Sequence, residues 1–318
     1  MRTESPAASS LSVDLAGIAL RNPVVLAAGT CGYLDEMADA LDLSRVGGIV
    51  TKSITARPRE GNKTWRVWPV AGGMLNAVGL ANVGLEVFER EIGPRVKDAP
   101  TTVLGSVSGF SIEDYASVAG MMDGVDGMKG IELNLSCPNV HGGMEFGASA
   151  GAAGELVRAV DGVVKRLKMF VKLSPKTADI VGVARACVEA GADGLVIGNT
   201  FPAMAIDVET RKPVLSRGTG GLSGPAIHPI AVRLVHEVYT AFARDAGVPI
   251  VGVGGVTTWK EAAEFVLAGA SAVEMGTALF ADPRAPLRVV SGLEKWVRRQ
   301  GCSRIGELVG RVVLEEHS

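Results

Sequence analysis

The feature that most constrains the fold is a series of eight short apolar runs, separated by longer stretches with helical periodicity. Most of these runs are rich in β-branched residues, and several are almost continuously hydrophobic rather than alternating. Parallel strands covered on both faces have this pattern, whereas a strand with one solvent-exposed face alternates apolar and polar residues. The runs are Pro23–Ala27, Gly48–Ser53, Thr102–Val107, Ile131–Leu135, Phe170–Leu173, Leu195–Ile197, Ile250–Val253 and Ala272–Met275.

The stretches between the runs predict helices. Ile180–Ala190 and Lys260–Ala268 both end in Ala-Gly-Ala just before the next run, where glycine can end a helix. Eight strands with helices between them favour a (β/α)8 TIM barrel, and a doubly wound open sheet is the alternative. We expect one barrel domain over 1–318, with 1–10 as a flexible tail and a short β-hairpin at Leu11–Leu20 closing the bottom.

Composition excludes several classes of protein. A net charge of -2 argues against a nucleic-acid binder. The N-terminus lacks the apolar core of a signal peptide, and no run of about 20 apolar residues could span a membrane. Four scattered cysteines give neither a disulfide framework nor a zinc site. We therefore expect a cytoplasmic protein that contacts no membrane or nucleic acid and holds no metal of its own.

Three connections are too long to be simple linkers: Ile54–Leu80, Pro138–Gly154 and Thr200–Gly224. Long ordered loops in compact domains are usually functional. Each follows a predicted strand, so all three belong at the C-terminal face, where barrel active sites form.

Polar residues interrupt or end the apolar runs at similar positions. They are Lys52, Asn134, Lys172, Asn199 and Thr200. A lysine or asparagine buried without a partner costs several kcal/mol, so a shared function is a better explanation than chance. Together they predict a cationic pocket with amide donors and acceptors, which suits a planar anionic ligand.

Glycines follow the last two runs, in Val253-Gly254-Gly255 and Met275-Gly276-Thr277. Loops after strands 7 and 8 of a barrel often bind phosphate through backbone N–H groups, and glycine permits a close approach. The alternative is a pair of ordinary tight turns. The chain is rich in glycine overall, with 41 among 318 residues.

Cys137 follows the fourth run, at the start of a glycine-rich loop. Its position alone leaves a nucleophile, a general base and a structural thiol open. Neither His141 nor His228 lies in a recognisable triad context.

The string Asn134-Leu-Ser-Cys-Pro-Asn139-Val, with Lys52 and Lys172 on other runs, resembles dihydroorotate dehydrogenases. Asn76-Ala-Val-Gly-Leu80 and Thr219-Gly-Gly-Leu-Ser-Gly-Pro225 match the same family, and the resemblance extends from about Leu11 to Gly310. Within the family, the cysteine and the Gly-Gly-Leu-Ser-Gly-Pro-Ala string resemble class 1B. Class 2 enzymes use serine as base and carry an N-terminal membrane segment, which is missing here.

The resemblance implies oxidation of dihydroorotate to orotate over FMN, in the de novo synthesis of pyrimidines. Cys137 would take a proton from C5 while hydride passes from C6 to flavin N5, and Lys172 would stabilise negative charge on the reduced flavin. The loop Pro138–Gly154 would act as a lid that excludes water.

The resemblance also implies two sets of binding residues. Orotate would be held by Lys52, Asn76, Ala77, Val78, Gly79, Leu80, Asn134, Asn199 and Thr200. FMN would be held by Ala28, Lys52, Ser53, Ser106, Asn134, Lys172, Gly198, Gly224, Gly254, Gly255, Gly276 and Thr277. Three positions depart from the family: Ala28 replaces a frequent serine, Ser106 an asparagine and His141 a lysine.

Class 1B enzymes work with a second subunit that carries FAD and a 2Fe-2S cluster and passes electrons to NAD. This chain has neither four cysteines at cluster spacing nor a GxGxxG after a strand, which agrees with a separate partner. The resemblance implies a homodimeric core joined by that subunit, as a heterotetramer.

Three alternatives remain at this stage. A dihydropyrimidine dehydrogenase-like flavoprotein would act on uracil, but its relatives favour Ser-Cys-Pro-His-Gly, and Lys52 suits a carboxylate that uracil lacks. A barrel isomerase or aldolase would bind a sugar phosphate without flavin, and a scaffold subunit would have no activity.

Overall fold

A closed barrel of eight parallel strands forms the centre of the computed structural model, which describes residues 9–135 and 146–314. In chain order the described strands are β1 Val13–Leu15, β2 Ile18–Leu20, β3 Val24–Leu26, β4 Gly48–Val50, β5 Val67–Val70, β6 Gly73–Asn76, β7 Thr102–Val107, β8 Gly130–Asn134, β9 Lys168–Leu173, β10 Gly194–Ile197, β11 Phe201–Ala203, β12 Ile206–Asp207, β13 Lys212–Pro213, β14 Gly220–Ser223, β15 Ile250–Val253 and β16 Ala272–Met275.

The barrel strands run in the order β3-β4-β7-β8-β9-β10-β15-β16, and β16 pairs with β3 to close the ring. Each of the eight predicted runs overlaps one of these strands, so the TIM barrel is confirmed and the open sheet is wrong. A continuous apolar run suits this position because each strand is covered inside by the barrel core and outside by helices.

Helices lie between the barrel strands and after the last one. In chain order they are α1 Leu85–Val87, α2 Ile112–Asp123, α3 Ala150–Asp161, α4 Ile180–Glu189, α5 His228–Val238, α6 Arg244–Ala246, α7 Trp259–Ala268, α8 Ala278–Ala281 and α9 Ala285–Arg299. Short segments of 3-10 or π helix cover Leu43–Arg45, Phe88–Ile92, Gly93–Asp98, Phe146–Ala148, Pro225–Ile227, Tyr239–Ala243 and Ile305–Leu308.

Helix α7 shows how local sequence sets these boundaries. The Thr258 side chain accepts a hydrogen bond from the Lys260 backbone N–H, and the Glu261 carboxylate accepts one from the Thr258 N–H at 2.7 Å. This reciprocal capping satisfies N–H groups that the first turn leaves unpaired. Gly269, with φ of 123°, ends the helix as predicted.

The hairpin β1–β2 confirms the prediction for Leu11–Leu20. Its apolar side chains Leu15, Ile18 and Leu20 join the cluster that fills the barrel interior. Burial of this apolar surface holds the hairpin against one end of the barrel and closes it.

Two of the long connections contain strands that the sequence did not predict. The antiparallel strands β5 and β6 belong to 54–80, and β11 and β14 belong to 200–224. They join in a four-stranded sheet of order β11-β14-β6-β5, with Gly221 opposite Asn76. The two loops therefore form one structure over the barrel mouth. Of the third connection, Pro138 to Glu145 lie outside the described residues.

Candidate active site

A cavity of about 240 Å³ lies at the carboxyl ends of the barrel strands. Side chains along a strand alternate between the two faces, so every second residue points into the barrel. Val50 and Phe170 belong to the interior apolar cluster, and Lys52 and Lys172, two positions further on, line the cavity. At these two places the inward-facing side chains change from apolar to polar within one alternation.

The four-stranded sheet supplies the opposite wall of the cavity. Val67, Met74, Asn76, Gly221 and Ser223 line it from β5, β6 and β14. The Asn76 side-chain amide donates to the Gly221 carbonyl at 3.3 Å, which ties the two long connections together. Residues distant in sequence thus form one enclosing wall.

Most residues predicted for the site line this cavity. They are Ala28, Lys52, Ser53, Asn76, Val78, Gly79, Leu80, Asn134, Lys172, Asn199, Thr200, Gly224, Gly254, Gly255, Gly276 and Thr277. The described chain therefore brings residues from both predicted sets into a single pocket.

Three predicted residues are not in the described wall of the cavity: Ala77, Ser106 and Gly198. Ser106 is fully buried, and its hydroxyl lies 2.8 Å from the Ser53 hydroxyl, so it supports a residue of the wall. Ala77 is fully buried beneath the sheet. Gly198 has φ of 117°, and a Cβ there would strike the Val253 carbonyl oxygen.

Lys52 is half-buried in the cavity wall. Burial lowers the pKa of its ammonium group, and the positive charge of Arg66 lowers it further, while Glu36 acts in the opposite direction. A partly desolvated ammonium binds an incoming carboxylate more strongly than a solvated one does.

Lys172 lies between two buried carboxyls that the sequence analysis missed. Its Nζ is 2.7 Å from Glu274 Oε2 and 3.3 Å from Glu132 Oε1. Burial alone would lower the pKa of Lys172, but the two carboxyls outweigh burial and raise it above 10.5. Both glutamates lie inside apolar runs, and Glu132 is two residues before Asn134 on β8. The two-residue spacing places Glu132 and Asn134 on the same, inner face of the barrel. This pattern could have identified Glu132 from the sequence as a residue of the barrel interior.

The backbone turn at Gly254 and Gly255 also lines the cavity, and it packs against His228, a residue to which the sequence analysis gave no role. Gly255 has φ of 71°, and a Cβ would lie 2.7 Å from the Gly224 carbonyl oxygen. The buried His228 ring places Nδ1 2.8 Å from the Gly254 carbonyl oxygen. The Gly-Gly pair is therefore required by backbone conformation and by close packing.

Cys137, the predicted base, lies outside the described residues, as does His141. Among the described cysteines, burial raises the pKa of Cys31 and Cys187 to about 12. Neither of these two thiols is ionised near neutral pH, so neither is a reactive thiolate.

The donor set fits a planar phosphorylated ligand such as a flavin nucleotide. The cations Lys52 and Lys172, the amides Asn134 and Asn199 and the glycine turn at Gly254 and Gly255 all line this one cavity. Glycine backbone N–H groups bind phosphate, and cationic and amide groups match the polar edge of a flavin.

Comparisons with known proteins agree with this chemistry. The sequence profile of the family described as Dihydroorotate dehydrogenase matches residues 10–297. The chain is 46% identical over 303 residues to "Dihydroorotate dehydrogenase B (NAD(+)), catalytic subunit" of Bacteroides thetaiotaomicron, covering 95% of this chain and 98% of the relative. It is also 46% identical over 301 residues to the protein of the same name from Pelobacter propionicus, covering 94% and 97%.

Among solved structures, the chain is similar to DHODH from Eimeria tenella in complex with ferulenol, with a TM-score of 0.81. The alignment covers 98% of this chain and 90% of that one at 22% identity, which supports the shared barrel fold. Within the described part of the chain, none of the helices has the length and apolar character that a membrane span requires.

Proposed function

The chain belongs to the dihydroorotate dehydrogenase family, and we propose that it is the catalytic subunit of a class 1B enzyme that oxidises dihydroorotate to orotate in pyrimidine biosynthesis. The observation that carries this proposal is 46% identity, over 95% of the chain, to a relative named as the catalytic subunit of the NAD-linked enzyme. The polar cavity at the barrel mouth supports it independently.

The family depends on flavin, and we propose FMN as the flavin of this chain. The turns at Gly224, Gly254 and Gly255 would hold the phosphate through backbone N–H groups, with Gly276 and Thr277 beside them. Lys172 and Ser53 would contact the ring system, and Ser106 would act through Ser53. When bound, FMN supplies the acceptor for the two electrons that leave the substrate.

The substrate carboxylate would pair with Lys52 and with backbone N–H groups of the segment 76–80. Lys52 is the half-buried cation of the cavity wall, and its desolvation favours an anionic partner. Asn134, Asn199 and Thr200 would bind the pyrimidine amide edges, because their side chains both donate and accept. This set orients the ring before the proton is removed.

Cys137 would remove the proton from C5 of dihydroorotate, with its Sγ as general base. The support for this role is the string Asn134-Leu-Ser-Cys-Pro-Asn139, which places the cysteine three residues after a residue of the cavity wall. A thiolate is the form of cysteine that can accept a proton.

The word "subunit" in the relatives' names implies a further chain in the complex. We propose that this chain forms a homodimeric core and that a partner subunit with FAD and a 2Fe-2S cluster passes electrons to NAD. This division of labour predicts NAD reduction by the complex and none by the catalytic chain alone.

Anaerobic titration of the purified chain tests the proposal. We expect a yellow protein with about one FMN per chain, bleached by dihydroorotate and not by dihydrouracil. Dihydrouracil is the matched control because it has the same ring without the carboxylate that Lys52 would bind. A protein that cannot be loaded with FMN, or that prefers dihydrouracil, would contradict the proposal.

A further inference from the structure

Three buried ionisable side chains meet at the cavity wall, and two of them, Glu132 and Glu274, have no role in the proposal above. Lys172 Nζ lies 2.7 Å from Glu274 Oε2, and 3.3 and 3.4 Å from the two oxygens of Glu132. Their side chains are at most 7% exposed. Among the described residues, the ion pairs of these three side chains are only with one another.

The charges of this cluster do not balance if all three groups are ionised. Two carboxylates and one ammonium give a net charge of about -1 among side chains that are almost entirely buried, where an unpaired charge is very costly. Two carboxyls that share a site avoid this by keeping one proton between them. Burial and then the neighbouring Glu274 raise the pKa of Glu132 well above 4.5, which agrees with a retained proton.

We propose that Glu132 and Glu274 share a single proton and form, with the Lys172 ammonium, a charge-neutral cluster in which either carboxylate can serve as the counter-ion. The two glutamates are positioning residues: they keep Lys172 charged and aim its ammonium at the cavity. That this cavity is a flavin site rests on the function proposed above, whereas the shared proton does not.

The two glutamates hold different places in this arrangement. Glu274 lines the cavity beside Lys172, while Glu132 does not reach the described wall and is fully enclosed. Glu132 is the more deeply enclosed carboxyl and burial raises its pKa, so the proton is favoured there and the negative charge lies nearer the cavity. Removing one carboxyl leaves one cation and one anion, because the remaining carboxyl then ionises against Lys172.

Infrared spectroscopy of the flavin-free chain at neutral pH reads the shared proton directly. A buried carboxylic acid gives a C=O band that ionised carboxylates lack. We expect this band in the unmodified chain and its loss in both Glu132→Gln and Glu274→Gln. Absence of the band from the unmodified chain, or its survival in either variant, would overturn the proposal.

Sulfite binding to the FMN-loaded protein measures the charge that the cluster presents. Sulfite is an anion, and its adduct with oxidised flavin adds negative charge to the ring. Each single variant should bind sulfite within about threefold of the unmodified protein, because neutrality is kept. If both glutamates were ionised, each single variant would bind sulfite about tenfold more tightly or better, and the proposal would fail.

Further variants complete the test. Glu132→Gln combined with Glu274→Gln leaves the ammonium unneutralised and should tighten sulfite binding by about tenfold or more, while Lys172→Met should weaken it. Where the double variant does not fold, the two single variants still decide the question. A chain that binds no flavin would contradict the proposed function, and the infrared result would still accept or reject the shared proton.

Discussion

Nδ1 of His228 lies 2.8 Å from the carbonyl oxygen of Gly254. A carbonyl only accepts, so Nδ1 carries the hydrogen and the ring is fixed in orientation. The ring also stands edge-on against Phe265, with centroids 4.9 Å apart. A buried histidine thus holds the glycine turn to which we assign the flavin phosphate.

We predict that His228→Ala weakens FMN binding by about tenfold, the equivalent of one lost hydrogen bond. Riboflavin, which lacks the phosphate, should be affected much less. The ratio of the two dissociation constants, measured by flavin fluorescence, checks this. His228→Asn is the matched control, because its amide nitrogen can replace Nδ1 as a donor. Equal losses for FMN and riboflavin would show that the histidine supports the fold rather than the phosphate turn.

We expect Cys137→Ala to slow reduction of the bound flavin by dihydroorotate by about 10²–10⁴-fold, the usual effect of losing a general base. FMN should stay bound, because none of its proposed contacts is removed. Anaerobic stopped-flow absorbance gives the rate. Cys302→Ala, at a partly exposed cysteine outside the described cavity wall, is the control and should be unaffected. Reduction at a nearly normal rate would remove Cys137 from the mechanism.

Loss of the Lys52 charge should weaken orotate binding by about 10–100-fold in Lys52→Gln, as expected for a charge-assisted hydrogen bond. Burial lowers the pKa of Lys52 below 10.5, so the ammonium form is lost at a lower pH than for an ordinary lysine. Orotate affinity of the unmodified protein should therefore fall as the pH rises through that pKa. Lys52→Arg keeps its charge and should lose this component of the pH dependence. Orotate titrations at several pH values measure this. The same pH dependence of orotate affinity in the unmodified protein and in Lys52→Arg would argue against Lys52 as the carboxylate partner.

The raised pKa of Glu132 predicts how stability depends on pH. Above about pH 4.5 the unfolded chain loses this proton while the folded chain keeps it, so rising pH favours unfolding. The contribution of Glu132 to the free energy of unfolding should fall by up to about 1.4 kcal/mol per pH unit, until its folded pKa is passed. Relative to the unmodified chain, Glu132→Gln should gain stability as the pH rises above about 4.5. Urea unfolding at each pH measures this, and a difference that does not change with pH would contradict it.

Two glycines of the cavity wall should respond differently to alanine. Gly255 has φ of 71°, and a Cβ there would lie 2.7 Å from the Gly224 carbonyl oxygen. Gly255→Ala should therefore lower the free energy of unfolding by about 1–3 kcal/mol or more. The backbone of Gly276 is not in the left-handed region, and a Cβ there would lie 3.4 Å from side-chain atoms of Ala27 and Thr30, close to an ordinary van der Waals contact. Gly276→Ala should therefore unfold at nearly the normal temperature without flavin. Thermal unfolding of the two flavin-free variants measures this, and an equal loss of stability in both would refute the distinction.

Periodicity predicted the barrel because the signal is local. A strand covered on both faces must be apolar throughout, so β8, β9 and β15 can be identified from neighbouring residues alone. Each helix must likewise present one apolar stripe, which is also read from neighbouring residues. The residues that interrupt those strands, such as Lys172 and Asn134, could be predicted for the same reason.

The sequence by itself therefore determined the barrel, the closing hairpin and about half of the residues that line the cavity. Only the tertiary structure decided how 54–80 and 200–224 pair across the mouth, because that pairing joins residues more than a hundred positions apart. It also decided that Glu132 and Glu274, on strands that are not neighbours, meet at one ammonium. A charge inside an apolar run signals that a partner is required, but only closure of the barrel determines which residue that partner is.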